Sequence, residues 1–220
     1  TFLLPLGISF YTFQQIAYLL DTSRGRPVER DFRNYALFVL FFPQLIAGPI
    51  VRHGEVMHQF LREARRPWLD IALGSTIFAA GLFKKLVLAD GFAQYVNPVY
   101  AAAAEGATPG LFEAWTAATA YVFQLYFDFS GYSDMAIGLA RCFGIVLPIN
   151  FVSPYKATTL GEFWRRWHIT LVRFVRSYFF QPIAVATQRR VSRTSWSRGV
   201  KRSVGTAVPT LVIFTAIGLW

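Results

Sequence analysis

The sequence predicts an all-α integral membrane protein, a multi-spanning helical bundle whose helices are broken or re-entrant around a cavity. Three observations predict it. Of 220 residues, 54% are hydrophobic and 15% charged, with 22 Phe, 10 Tyr and 6 Trp, too apolar for an ordinary water-soluble domain. Residues 1–20, 34–51 and 203–220 contain no Asp, Glu, Lys or Arg, and each approaches the ~20 residues that cross a hydrocarbon core as a helix. Pro5-Leu6-Gly7, Pro43, Gly48-Pro49, Pro148, Pro154 and Pro182 fall in or beside oily stretches, where freed backbone groups need neighbouring helices or cavity water.

The uncharged stretches are the three leading spans. Weaker segments lie near 69–89, 112–129, 131–149 and 169–186, each with a charge or a Gly/Pro interruption, so some are re-entrant or interfacial. Residues 22–33 and 187–202 read as polar connections. With no internal repeat and no low-complexity linker, residues 1–220 read as one membrane-embedded unit. The chain opens on Thr1 without an initiator Met and closes on Ile217-Gly218-Leu219-Trp220 within an apolar run, so it reads as an internal piece of a longer protein.

The net charge of +10 does not point to nucleic acid, because the cations sit in short blocks between oily segments rather than along one solvated face. Arg24, Arg26, Arg30 and Arg33 form one block, and Arg52, Arg62, Arg65 and Arg66 a second. Arg189, Arg190, Arg193, Arg198, Lys201 and Arg202 form a third. By the positive-inside rule these face the cytoplasm, and the third is placed to meet anionic head groups. No Lys or Arg occurs between Leu86 and Ala140, while Asp90, Glu105 and Glu113 fall there, so the loop around 98–111 is expected on the outer face. The single cysteine, Cys142, excludes an internal disulfide framework and reads as packing.

The most informative stretch runs from Pro154-Tyr155-Lys156 to Glu162-Phe163-Trp164-Arg165-Arg166-Trp167-His168-Ile169-Thr170-Leu171. Thr158 or Thr159 is placed to cap a helix, with Glu162 completing a capping box and pairing with Arg166 at i,i+4. Continued through His168, that helix puts the imidazole on one stripe with Trp164, Leu171, Val172 and Val175, roughly opposite Arg166. A core histidine is the ordinary reading of such a residue. In a membrane, an ionisable group on an apolar face points instead to a functional site, and a desolvated imidazole stays neutral and available as a base or acceptor.

A second cluster, Asp128-Phe129-Ser130-Gly131-Tyr132-Ser133-Asp134, interrupts an oily run with Gly131 at its centre, and it is expected to break a helix beside a polar cavity. Bracing of neighbouring helices by Asp128 and Asp134 is an equally good reading. His53 and His58 flank Glu55, but their spacing does not put both imidazoles on one helical face, so no metal site is expected. A phosphate-binding glycine loop, a Gly-x-Ser-x-Gly elbow and a Cys-x-x-Cys pair are all missing from the sequence, which removes the usual markers of nucleotide hydrolysis, serine esterases and thiol redox chemistry.

Five ordered blocks resemble the membrane-bound O-acyltransferase family, in its bacterial branch of alginate-type O-acetylation proteins. They are Pro5-Leu6-Gly7-Ile8-Ser9-Phe10-Tyr11-Thr12-Phe13-Gln14, Phe42-Pro43-Gln44-Leu45-Ile46-Ala47-Gly48-Pro49-Ile50, Gly81-Leu82-Phe83-Lys84-Lys85, the Asp128–Asp134 block, and Phe163-Trp164-Arg165-Arg166-Trp167-His168. The resemblance implies a helical membrane fold with a tunnel that brings an acyl group from a cytoplasmic thioester donor to a hydroxyl outside. It implies a second, principal catalytic histidine directly after Gly218-Leu219-Trp220, with His168 matching the family's other histidine. The chain departs from the family at Arg176-Ser177-Tyr178, where Arg-Asp-Tyr is usual, and at Pro182-Ile183-Ala184-Val185.

Acyl transfer to a hydroxyl needs a base for the proton and donors for a tetrahedral oxyanion. His168 is the candidate supporting catalytic residue. Lys156, Trp164, Arg165, Arg166 and Trp167, with Asp128, Tyr132 and Asp134, are the candidate substrate- or donor-binding residues. Lys156, Arg165 and Arg166 suit the phosphates of a coenzyme A or phosphopantetheine donor, although snorkelling to the interface explains them equally well. The expected function is O-acetylation of an extracellular polysaccharide, without a bound cofactor, from acetyl-CoA or another acyl thioester. The expected setting is the bacterial inner membrane, with lipid and a periplasmic acetyltransferase- or esterase-like protein as partners. D-alanyl transfer to teichoic acid and acylation of a protein or lipid are the rivals within the class. A transporter or a scaffold subunit is the rival outside it, and a transporter predicts an inverted repeat that the sequence lacks.

Overall fold

A computed structural model describes residues 8–45, 48–61 and 66–219. Pro5-Leu6-Gly7, Ile46, Ala47, Arg62, Arg65 and Trp220 therefore lie outside the described residues. Those described form helices and connections, without a strand. They divide into two compact units, 1–152 and 153–220.

The first unit begins with α1 (Ile8–Ser23) and α2 (Phe32–Leu40), which starts where the Asp31 carboxylate accepts the Arg33 N–H at 2.8 Å. The uncharged stretch 34–51 does not continue as one span. Helix α2 ends before Phe41, and Pro43 opens a short 3₁₀ turn, Phe42–Gln44. Helix α3 (His53–Phe60) follows. A core of Phe38, Phe41, Val51, Val56 and Met57 joins these elements to Ala140, Ile145 and Leu147. Gln59 clamps the backbone of Val146 in both directions, accepting its N–H at 2.8 Å and donating to its carbonyl at 3.2 Å.

Helix α4 (Pro67–Phe83), a wide π-helical turn (Lys84–Ala89) and α5 (Asp90–Ala104) form one continuous rod, Pro67–Ala104. Among the described residues it is the one helix both long and apolar enough to cross a bilayer. Trp68, Leu69, Ile71, Leu73, Leu82, Phe83, Leu86 and Val87 are exposed along it, as a lipid-facing surface requires. The helix continues through Pro98 to Ala104, so the connection expected at 98–111 shortens to residues 105–110. Proline's missing N–H is tolerated within an otherwise complete helix when the neighbouring turns hold.

Helix α6 (Leu111–Cys142) runs straight through Gly131, and the helix break expected there does not occur. Gly131 serves close approach instead. A Cβ on Gly81 would lie 2.6 Å from the Gly131 carbonyl oxygen, and one on Gly131 would lie 2.8 Å from that of Gly81. Seven residues away, Cβ atoms on Gly74 and Gly138 would meet each other's carbonyl oxygens at 2.5 and 2.6 Å. Position 74 faces 138 and 81 faces 131, so α4 and α6 are antiparallel with their backbones in contact. Asp70 and Arg141 bridge at 2.6 Å beyond Gly74 and Gly138. Cys142 packs here, its Sγ against Gly74 and 3.9 Å from the Ile71 oxygen.

The second unit holds α7 (Leu160–Arg166), α8 (Ile169–Val175), a π-helical turn (Arg176–Phe180), α9 (Gln181–Ser192) and α10 (Arg198–Leu219). Most of the expected polar connection 187–202 is helical, and only residues 193–197 join α9 to α10. Helix α9 packs on α10, with the Gln188 side chain 3.6 Å from the Cβ position of Gly205.

The α4–α6 contact makes a direct prediction. Gly81→Ala or Gly138→Ala forces a methyl into backbone and is expected to cost at least about 1–3 kcal/mol, read as a lower thermal midpoint and lower folded yield in detergent. Gly91→Ala, whose Cβ meets nothing within 4 Å, is the control, and it is expected to leave both unchanged or slightly raised.

Candidate functional site

In the second unit the chain is organised around an aromatic stack. Pro154 opens a 3₁₀ turn ending at Lys156, after Ser153 in left-handed backbone with φ 43°. Tyr155 from that turn stacks on Phe163 at 6.3 Å, and Phe163 stacks on Trp167 at 5.6 Å with planes 17° apart. Trp164 meets Phe163 edge-on at 5.4 Å and Phe214 at 6.4 Å. Three rings from two segments thus carry Lys156 against α7.

The start of α7 follows the expectation. Thr159 caps the helix by accepting the Glu162 N–H at 3.1 Å, while the Glu162 carboxylate accepts from the Thr158 N–H at 2.9 Å and from its hydroxyl at 3.0 Å. The same carboxylate bridges Arg166 at 2.7 Å. The Thr158 bonds and Arg166 hold the Glu162 carboxyl well below the usual range, at about 2. Arg166 thus makes the i,i+4 bridge expected of it. Arg165 and Lys156 are exposed and make no ion pair among the described residues.

The end of α7 does not follow the expectation. The helix stops at Arg166, and His168 takes left-handed backbone with φ 43° and ψ 52° before α8 starts at Ile169. A single continuous stripe of His168 with Trp164, Leu171, Val172 and Val175 is thereby broken. Among non-glycine residues, histidine is one of those that enter this region more readily, at a cost of order 1–3 kcal/mol that a surrounding structure must sustain. Here the Trp167 N–H donates back to Phe163 at 2.9 Å and the His168 carbonyl accepts the Val172 N–H at 3.1 Å, which fixes the kink from both sides. The imidazole is partly buried between two seven-residue helices, each too short to span a bilayer. Burial pushes its pKa down to about 4, so it is neutral near pH 7.

The other candidates lie in the first unit, on α6. Asp134 bridges Lys84 at 2.5 Å, Asp128 bridges Lys85 at 2.5 Å, and Lys85 also reaches Asp90 at 3.0 Å. The π-helical turn widens the helix at these lysines, where a regular α-helix would turn consecutive side chains about 100° apart. Both carboxylates brace the rod Pro67–Ala104. Tyr132 points outward, 38% exposed, while Ser130, Gly131 and Ser133 beside it are buried. Lys84 and Lys85, the partners that sequence reasoning left unassigned, were signalled by being the only cations between residues 67 and 140. Among the described residues no three His, Cys, Asp or Glu side chains converge as a metal site. His53 instead packs edge-on against Tyr18 at 5.0 Å and Phe38 at 5.2 Å.

The Glu162 cap carries a pH signature. Its carboxyl is depressed in the folded state, so its contribution to the start of α7 is full above the ordinary carboxylate range and is lost as pH falls toward about 2. Amide exchange at Glu162 and Phe163 is expected to be steady from about pH 5 to 8 and to quicken, relative to intrinsic rates, as the carboxyl protonates below about pH 4. Glu162→Gln is expected to show the faster relative exchange throughout.

Residues 29–196 match the family model of the membrane-bound O-acyltransferases. The chain is 47% identical over 209 residues to the peptidoglycan O-acetyltransferase of Helicobacter pylori, covering 82% of this chain and 39% of that protein. It is 45% identical over 180 residues to the probable alginate O-acetylase AlgI of Azotobacter vinelandii, covering 81% and 35%. It is 31% identical over 188 residues to the teichoic acid D-alanyltransferase of Streptococcus thermophilus, covering 84% and 45%. The chain thus spans 35–45% of the length of each of these relatives. On the family match and these identities, the chain belongs to the membrane-bound O-acyltransferase family.

Proposed function

We propose that the complete protein is a multi-spanning inner-membrane enzyme that moves an acetyl group from a cytoplasmic thioester, through a tunnel, to a hydroxyl of an extracytoplasmic glycan. The observation that carries this reading is the 45–47% identity to two O-acetylating relatives over more than four fifths of the chain. One is named for peptidoglycan and the other for alginate, so the acceptor class is a cell-envelope or extracellular polysaccharide. D-alanyl transfer is the second reading, and it rests on the lower 31% identity to the Streptococcus relative.

The chemistry follows from the groups available. An imidazole takes the proton of the acceptor hydroxyl, its oxygen bonds to the thioester carbon, and the tetrahedral intermediate expels the thiolate, which leaves protonated. The principal base is assigned to the second histidine that the family resemblance implies. His168, neutral and held in a fixed kink, is assigned to positioning the hydroxyl or donating to the oxyanion. Arg165 and Lys156, the exposed cations beside the aromatic stack, are assigned to the donor's phosphates. A periplasmic acetyltransferase- or esterase-like protein is the proposed partner on the acceptor side.

His168→Gly in the full-length protein tests the role of this residue. Glycine accepts the left-handed backbone without strain, so folded yield and thermal midpoint are expected near wild type. Acetyl transfer to the glycan is expected to fall by about 10²–10³, the usual loss for one reaction-centre donor. Full acetylation with normal yield would return His168 to a packing role, and loss of yield together with activity would make it structural.

A further inference from the structure

From residue 163 to residue 220 the sequence holds ten Arg or Lys and not one Asp or Glu. Six of those cations gather at the tip of the α9–α10 hairpin. Arg189 and Arg190 lie in the last turn of α9, Arg193 in the connection, and Arg198, Lys201 and Arg202 within the first five residues of α10. Lys201 is used locally, its ammonium donating to the Ser192 carbonyl at 3.2 Å. The five arginines are exposed and make no ion pair among the described residues.

Local electrostatics account for only part of this arrangement. Arginines at the end of α9 favour the negative end of its dipole, but three cations at the start of α10 oppose the positive end of that one. Five uncompensated guanidinium groups on two adjoining helix ends call for an anion from outside the chain. The connection supplies a second clue in Trp196, 48% exposed at the apex among Thr194, Ser195 and Ser197. An indole with an apolar body and a polar N–H settles at the head-group level of a bilayer. Beyond Arg202, residues 203–219 of α10 carry no charge.

We infer that the tip of the α9–α10 hairpin is a binding surface for anionic phospholipid head groups, with Arg189, Arg190, Arg193, Arg198 and Arg202 on the phosphates and Trp196 at the interface. Arginine's planar fork engages two phosphate oxygens at once, and five of them across the hairpin tip bind more than one head group. This surface lies on other elements than the Glu162–His168 segment and does not depend on which acyl group or acceptor the enzyme uses.

The test uses full-length protein in zwitterionic detergent, titrated with phosphatidylglycerol or phosphatidylcholine of the same acyl chains, with bound lipid counted by native mass spectrometry. Phosphatidylglycerol is expected to be preferred by about tenfold at about 50 mM salt, and the preference is expected to shrink toward unity at about 500 mM. Replacing the five arginines by Gln is expected to reduce it to within about twofold at low salt, and replacing them by Lys is expected to retain most of it. No preference in the wild type, a preference indifferent to salt, or one that survives the Gln replacements overturns the proposal. So does displacement of phosphatidylglycerol by excess coenzyme A, which would make this a site for a soluble phosphate donor. If the Gln variant does not fold, the salt series and the Lys variant decide.

Discussion

Two glycines seven residues apart on α4 meet two glycines seven residues apart on α6 in reverse order, and the backbones touch there without side chains between them. In lipid, burying an apolar side chain between helices gains little, because the surrounding tails are as apolar as leucine. Close backbone approach and polar contacts supply the association instead. The Gly74–Gly138 and Gly81–Gly131 contacts fix both the register and the spacing of the longest helices in the first unit. Once they are fixed, Asp70 must face Arg141, and Lys84 and Lys85 must face the carboxylates of α6. Charges that would be costly in an apolar rod are thereby neutralised in pairs.

The same glycines show what a sequence reveals and what it conceals. Gly131, set among serines and aspartates in an oily run, carries the local signature of a helix break. Its actual role depends on Gly81, fifty residues earlier, and no local pattern contains that partner. The heptad spacing of Gly74 with Gly81 and of Gly131 with Gly138 was the signal available. Stretch 34–51 has the opposite history. Its apolar count reached the length of a span, but Pro43 and Gly48-Pro49 are strong local breakers and prevailed over composition.

In the candidate site, interactions within four residues were legible. The Thr159 cap, the Glu162 capping box and the Glu162–Arg166 bridge all follow from spacing. The kink at His168 was not, because left-handed histidine is uncommon and nothing in Arg166-Trp167-His168-Ile169 announces a stop. Beside the kink, Phe163 stacks on Trp167 at i,i+4, and Tyr155 joins that stack from a separate turn that local periodicity does not link to α7. Family resemblance picked out His168 as a residue, and only geometry gave its backbone state and its burial. The Glu162–Arg166 bridge gives Arg166 a structural role in α7 beside the donor-phosphate role expected of it.

The proposed activity of the complete protein is movement of an acyl group between the two faces of a bilayer. It is tested most directly by sealed vesicles holding the full-length protein, a glycan acceptor with the proposed periplasmic partner inside, and isotopically labelled acetyl thioester outside. The account predicts that label becomes ester-linked to the enclosed glycan while the donor remains excluded from the lumen. Label confined to the outer compartment, or donor hydrolysed with no enclosed ester formed, would contradict it.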